Sequence, residues 1–226
     1  MRYAVLISGL CLLFPLAANA ALLEPWRVDA SKLLPPPPAI GSAGEKAEFD
    51  ELRVIATRST SEMRAVAKRD AEDETPDIFD TAIGFNLASH PATFKLLNMV
   101  VEEEEGDTKG AKVFFHRERP YATDSSLKTC TPVKPGKAPT SYPSGHATLA
   151  FSMGVVLASL MPEKSQAILA RASEYAEHRL VCGVHFRSDI VAGQQFGTVI
   201  ALQLMRNETF RSQLQDALKE LNATRP

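Results

Sequence analysis

Apolar residues recur at helical spacing along most of the chain. From Glu45 to about Thr57 the positions Ala47, Phe49, Leu52, Val54, Ile55 and Ala56 fit an amphipathic helix, and Ser61 to Ala71 supports another. Pro76, with Thr75 as its cap, opens a segment holding Ile78, Phe79, Ala82 and Ile83; His90-Pro91 marks a break before Phe94, Leu96, Leu97, Met99 and Val100. The acidic run Glu102 to Glu105 reads as the solvated end of that helix. Between Pro120 and Pro143 the chain turns to Thr, Ser, Lys, Pro and Gly, which describes a long surface loop of the kind that often carries function. Helical spacing resumes over Pro143 to Leu160, Glu163 to about Val181 and roughly Phe186 to Met205, and a polar amphipathic tail runs from Glu208 to Leu221. No alternating run closed by Asn-Gly or Asp-Gly signals a hairpin. The expected fold is all-α, a compact single-domain helical bundle over residues 45–226 without internal repeats.

The N-terminus departs from this pattern. Arg2 gives a positive start, Ala4 to Ala18 is largely apolar, and Ala18-Asn19-Ala20 is a small-x-small cleavage site, so residues 1–20 are expected to be a signal peptide and the mature chain to begin at Ala21. A retained anchor is the alternative. The apolar stretch is shorter than the roughly 20 residues a membrane-spanning helix needs, so no integral membrane span is expected. Within residues 21–44, Leu33-Leu34-Pro35-Pro36-Pro37-Pro38 favours polyproline II and reads as an extended Pro-rich strap ahead of the bundle.

Removing 20 of 226 residues leaves a chain with 45% hydrophobic residues overall, enough for a substantial core. Net charge is -2, or -3 without Arg2 (24 basic against 27 acidic residues), and no Lys/Arg tract is present, which argues against nucleic acid as a partner. Cys11 leaves with the signal, so an exported chain keeps Cys130 and Cys182, and a single disulfide between them is expected, two buried thiols being the alternative.

The chemistry concentrates in three stretches: Lys112 and, after six intervening residues, Arg119-Pro120; Pro143-Ser144-Gly145-His146; and Arg179, His185 and Asp189. A phosphoryl group gathers charge on its equatorial oxygens during transfer, and without a metal it needs fixed cations, which Lys112, Arg119 and Arg179 can supply. Each alone could be a surface cation. Pro143 can start a helix, Ser144 offers a hydroxyl, and Gly145 lets the backbone of a helix N-terminus approach an anion. As a lone tetrapeptide this is a weak signal, because Ser-Gly turns are common. The four-residue spacing of His185 and Asp189 puts both on one helical face if a helix begins by His185, so that the carboxylate orients the imidazole for attack or base work. Taken alone, that pair could equally be a structural hydrogen bond.

Together these residues resemble the signature Lys-x6-Arg-Pro, Pro-Ser-Gly-His, Ser-Arg-x5-His-x3-Asp of the phosphatidic acid phosphatase type 2 superfamily, in particular its bacterial class A non-specific acid phosphatases. Ser141-Tyr142-Pro143-Ser144-Gly145-His146 and Val181-Cys182-Gly183-Val184-His185 add to the likeness. The resemblance implies a helical bundle of the acid phosphatase/vanadium haloperoxidase type and a periplasmic, broad-specificity phosphomonoesterase able to phosphorylate acceptor alcohols. It implies His185 as nucleophile forming a phosphohistidine, Asp189 as its orienter, His146 as general acid, and Lys112, Arg119, Ser144, Gly145 and Arg179 as phosphate binders. It implies no metal, no cofactor, small phosphomonoesters as partners, and assembly into homo-oligomers. A vanadate-dependent haloperoxidase, a lipid phosphate phosphatase and an anion-binding protein are the alternatives. One position departs from the signature: His178 stands where the pattern has Ser, and if near the cage it would modulate it with a charge titrating near neutrality.

Overall fold

The structure is a computed structural model that describes residue 22, residues 28–133 and residues 140–224. The expected signal peptide lies outside the described residues. In chain order the helices are α1 (Ala30–Leu33), α2 (Ala43–Arg58), α3 (Ser61–Glu72), α4 (Asp80–Ile83), α5 (Pro91–Phe115), α6 (Pro120–Thr123), α7 (Gly145–Leu160), α8 (Ser165–Val181), α9 (Arg187–Leu204) and α10 (Glu208–Thr224). Among the described residues there is no strand, only an isolated antiparallel bridge between Glu118 and Thr140.

Helix α7 is apolar or small on nearly every side, the pattern of a helix buried all round, and it packs against α5, α8 and α9. Helix α9 comes close to it by turning two glycines toward it. A Cβ on Gly193 would stand 2.7 Å from the carbonyl oxygen of Ser144 and 2.8 Å from Ala147 Cβ; one on Gly197 would overlap the carbonyl oxygen of Thr148. The amide of Ser144 also donates to the carbonyl of Asp189 at 3.0 Å, so the first turns of α7 and α9 are joined.

Helix α5 does not end at the acidic run. Four consecutive residues spread around a helix, so one must share the inner face with Leu97, Val100, Thr108 and Ala111; that residue is Glu104, 4% exposed and bonded by Thr108 Oγ1 at 2.9 Å. Burial, with Glu74 and Glu105 nearby, raises its carboxyl to about 8, so it is neutral at acid pH. The helix instead ends at His116, left-handed at φ 51°. Its first turn is capped from α10: Glu220 accepts from the amides of Ala92 and Thr93, both at 2.9 Å.

Three other expectations are corrected. The strap is not extended throughout, because Asp29 caps one helical turn, α1, before the prolines; Tyr142 Oη then donates to Pro35 O at 2.5 Å. Thr75 does not cap a helix at Pro76: its hydroxyl bonds Asp73, and Pro76–Phe79 is a 3-10 turn leading into α4. The segment from Pro120 to Pro143 is not wholly a surface loop, for Leu127, Ser141 and Tyr142 are buried. Residues 134–139 lie outside the described residues. The expected Cys130–Cys182 disulfide is present, with Cα atoms 4.8 Å apart, and pins this segment to the end of α8. Closing a loop of that length contributes about 4 kcal/mol on the chain-entropy view.

Candidate active site

Helix α9 begins at Arg187, two residues after His185, so the expected single helical face is not what brings His185 and Asp189 together. Asp189 sits at the third helical position and folds its carboxylate back over the N-terminus: Oδ2 accepts from the amide of Phe186 at 2.8 Å and lies 3.2 Å from His185 Nδ1. Ser141 Oγ also donates to that oxygen and is 3.3 Å from the same ring nitrogen. Oδ1 accepts from Arg117 at 2.8 Å. Arg117 in turn reaches Glu48 at 2.6 Å and lies over the Phe186 ring, 3.9 Å from its centroid. A carboxylate is acceptor-only, so these contacts fix the proton of His185 on Nδ1 and leave Nε2 with its lone pair. Burial, then the charges of Arg119, Lys112 and Arg179, push the His185 pKa well below the usual imidazole range, so the ring is neutral.

The three expected cations converge on this imidazole. Arg179, on α8, is 6% exposed, and its Nε and Nη1 are buried with no hydrogen-bond partner among the described residues. An unpartnered buried guanidinium is costly; burial and the neighbouring Arg119 lower its pKa to about 10. Arg119 donates from Nε to Thr140 O at 3.1 Å. Lys112, in the last turn of α5, donates to the carbonyls of Thr140, Ser141 and Pro143 at 3.3, 3.1 and 2.7 Å, so it also fastens the turn that leads into α7. Burial and the charge of Arg119 lower its pKa to about 7.

Ser144 is the N-cap of α7, its hydroxyl accepting from the Ala147 amide at 3.4 Å, and the amides of Gly145 and His146 have no intrahelical partner. A Cβ at Gly145 would meet Thr108 Cγ2 only at 3.6 Å, so packing alone does not require glycine there. The His146 ring lies nearly parallel to Tyr175, with centroids 5.5 Å apart. Nδ1 is 3.2 Å from Glu74 Oε1 and Nε2 is 3.4 Å from Ala71 O. Burial, then Arg179 and His185, push the His146 pKa well below the usual range.

His178 does not join this group. Its Nδ1 is 2.6 Å from Asp70 Oδ2, and Asp70 also takes two bonds from Arg171, at 2.9 and 2.7 Å. Burial opposes the charge on Asp70, but His178 and Arg171 hold its pKa at about 2. Successive positions on a helix point about 100° apart, so His178 faces α3 while its neighbour Arg179 faces the cage. Ser141, Glu74 and Tyr175 do join the site without having been singled out for it, and Arg117, between Lys112 and Arg119, is the ion-pair partner of Asp189. Among the described residues no group of three or more His, Cys, Asp or Glu could hold a metal ion.

The PAP2 superfamily model matches residues 92–212, which runs from α5 into the start of α10 and includes every cation and histidine of this site. The chain belongs to the PAP2 superfamily. A non-specific acid phosphatase of Providencia stuartii is 31% identical over 202 residues, covering 85% of this chain and 81% of its own. One of Salmonella typhi is 27% identical over 238 residues, covering 98% and 94%. A transmembrane PAP2-type phosphatidylglycerolphosphate phosphatase from Bacillus subtilis superposes with a TM-score of 0.56 at 16% identity, over 77% of this chain and 87% of that one, a likeness of fold. Among the described residues of this PAP2 member, no helix is long and apolar enough to cross a membrane.

Proposed function

We propose that this PAP2 protein is an exported, periplasmic acid phosphatase of broad specificity that hydrolyses phosphomonoesters through a phosphohistidine on His185. The observation that carries the reading is the unpartnered guanidinium of Arg179 beside a neutral imidazole whose Nδ1 is held by Asp189. Nε2 of His185 donates its lone pair to phosphorus as the bond from phosphorus to the ester oxygen breaks, and His146 gives its proton to the departing oxygen. Asp189 balances the positive charge that develops on the His185 ring. Arg179, Arg119 and Lys112 offset charge on the equatorial oxygens, joined by the Ser144 hydroxyl and the amides of Gly145 and His146. Water then attacks phosphorus, His146 takes its proton back, and the N–P bond breaks. An acceptor alcohol in place of water gives phosphotransfer.

Rapid quenching in base during turnover of an aryl phosphate, followed by peptide mass spectrometry, is expected to find an acid-labile phosphoryl group on His185. A burst of product with no such adduct would sink the covalent route.

The cage also makes a stability prediction. Arg179→Met replaces a buried guanidinium whose Nε and Nη1 have no hydrogen-bond partner among the described residues with an apolar chain of similar length, and is expected to raise Tm without added anion by about 2–8 °C, for about 1–2 kcal/mol. Inorganic phosphate, expected to raise the Tm of the parent protein by binding the folded state, should no longer do so in the variant. An equal phosphate-induced shift in both proteins would remove Arg179 from the anion site.

A further inference from the structure

We propose that Glu74 is a positioning residue for the acid step: its carboxylate accepts from Nδ1–H of His146 and so turns Nε2 toward the leaving oxygen. The inference rests on His146 being the acid, as proposed above.

Each histidine of the site has a carboxylate oxygen 3.2 Å from Nδ1: Asp189 hydrogen-bonds His185, and Glu74 stands in ion-pair contact with His146. The other nitrogen of His146 has only the carbonyl of Ala71, at 3.4 Å, a long contact that a leaving oxygen can displace. The ring cannot easily turn otherwise, because Tyr175 lies against its face and is itself fixed by Oη donating to Asp73 O at 2.6 Å. Ala71 in the last turn of α3, with Asp73 and Glu74 just after it, therefore grips the imidazole on both edges and through its stacking partner.

The two carboxylates differ in surroundings. Asp189 is fully buried and balanced by Arg117, whereas the Glu74 side chain is 62% exposed. A carboxylate largely in water needs no compensating cation, so it can serve a ring that must hold a proton and then surrender it within one step. The need for such an acceptor is plain: burial, Arg179, His185 and Arg119 all oppose a proton on His146, with the Ala71 carbonyl opposing them in turn. Glu74 also lies near Glu104 and Arg179, while most of its side chain faces solvent.

The test uses leaving groups of different basicity. p-Nitrophenolate departs without a proton, whereas a simple alkoxide requires one, so kcat/KM for an alkyl phosphate senses the acid and that for p-nitrophenyl phosphate does not. Glu74→Gln is expected to lower kcat/KM for the alkyl phosphate about tenfold more than for p-nitrophenyl phosphate, part of the hundredfold or more that a positioned acid supplies. Inhibition by inorganic phosphate should be unchanged, Tm should stay within a degree or two of the parent for an exposed substitution, and Glu74→Asp should restore part of the selectivity. His146→Ala, as reference, should show a larger effect of the same kind. If Glu74→Gln slows both substrates equally, or neither, while His146→Ala remains selective, Glu74 is merely structural and the inference fails. If His146→Ala itself shows no selectivity, the acid assignment falls and this inference with it.

Discussion

His185→Ala is expected to lower kcat/KM for aryl phosphates by about 10⁴-fold or more, measured with a chelator present, because the substitution removes the atom proposed to bond phosphorus while leaving the cations in place. The cage would still bind, so inorganic phosphate should continue to raise Tm in this variant. That pairing separates loss of the nucleophile from loss of the fold, which matters for a side chain only 1% exposed. Activity near the parent level would assign the attack to another group and overturn the mechanism.

Gly197→Ala is expected to cost about 3 kcal/mol or more, a fall in Tm of about 6–12 °C, because the new Cβ would overlap the Thr148 carbonyl and stand 2.9 Å from Ser152 N, backbone atoms that cannot rotate aside. Gly193→Ala should do likewise and also lower activity, since relief there requires moving the carbonyl of Ser144, one residue from Gly145. The controls lie on α5: Gly106 and Gly110 have nothing within 4 Å of an added Cβ, so alanine at either is expected to stabilise by up to about 1 kcal/mol. If all four substitutions had similar effects, the close approach of α7 and α9 would not be what sets their packing.

Much of the bundle was legible in the sequence because a helix shows its buried face as a period, and α2, α3, α7, α8, α9 and α10 fall within a few residues of where the apolar spacing puts them. The motif residues were legible because their chemistry is unusual in combination. What stayed hidden depends on contacts between distant segments. Glu104 looked solvated because its neighbours are charged, yet helical geometry turns it inward. Glu220 caps a helix by bonding the amide of Ala92, 128 residues earlier, which no local cap signal can reveal. Arg117 and Glu74 are ordinary charged residues until the fold sets one against Asp189 and the other against His146. His178 was legible as a departure from the motif but not in its direction, since the partner that claims it, Asp70, comes from α3.

The helix pair joined through Gly193 and Gly197 also divides the molecule by how freely it can change. Ser144, Gly145 and His146 on one helix and His185 with Asp189 at the head of the other are held by a backbone contact that admits no added atom, so the geometry proposed to grip the phosphoryl group has almost no tolerance for drift. The stretch from Ala71 to Glu74 reaches the same imidazole through the Glu74 carboxylate and the Ala71 carbonyl. On the acid role proposed for His146, substitutions there would retune which alcohols leave without moving α7 and α9, so this scaffold would gain new substrate ranges from its rim while its centre stays fixed.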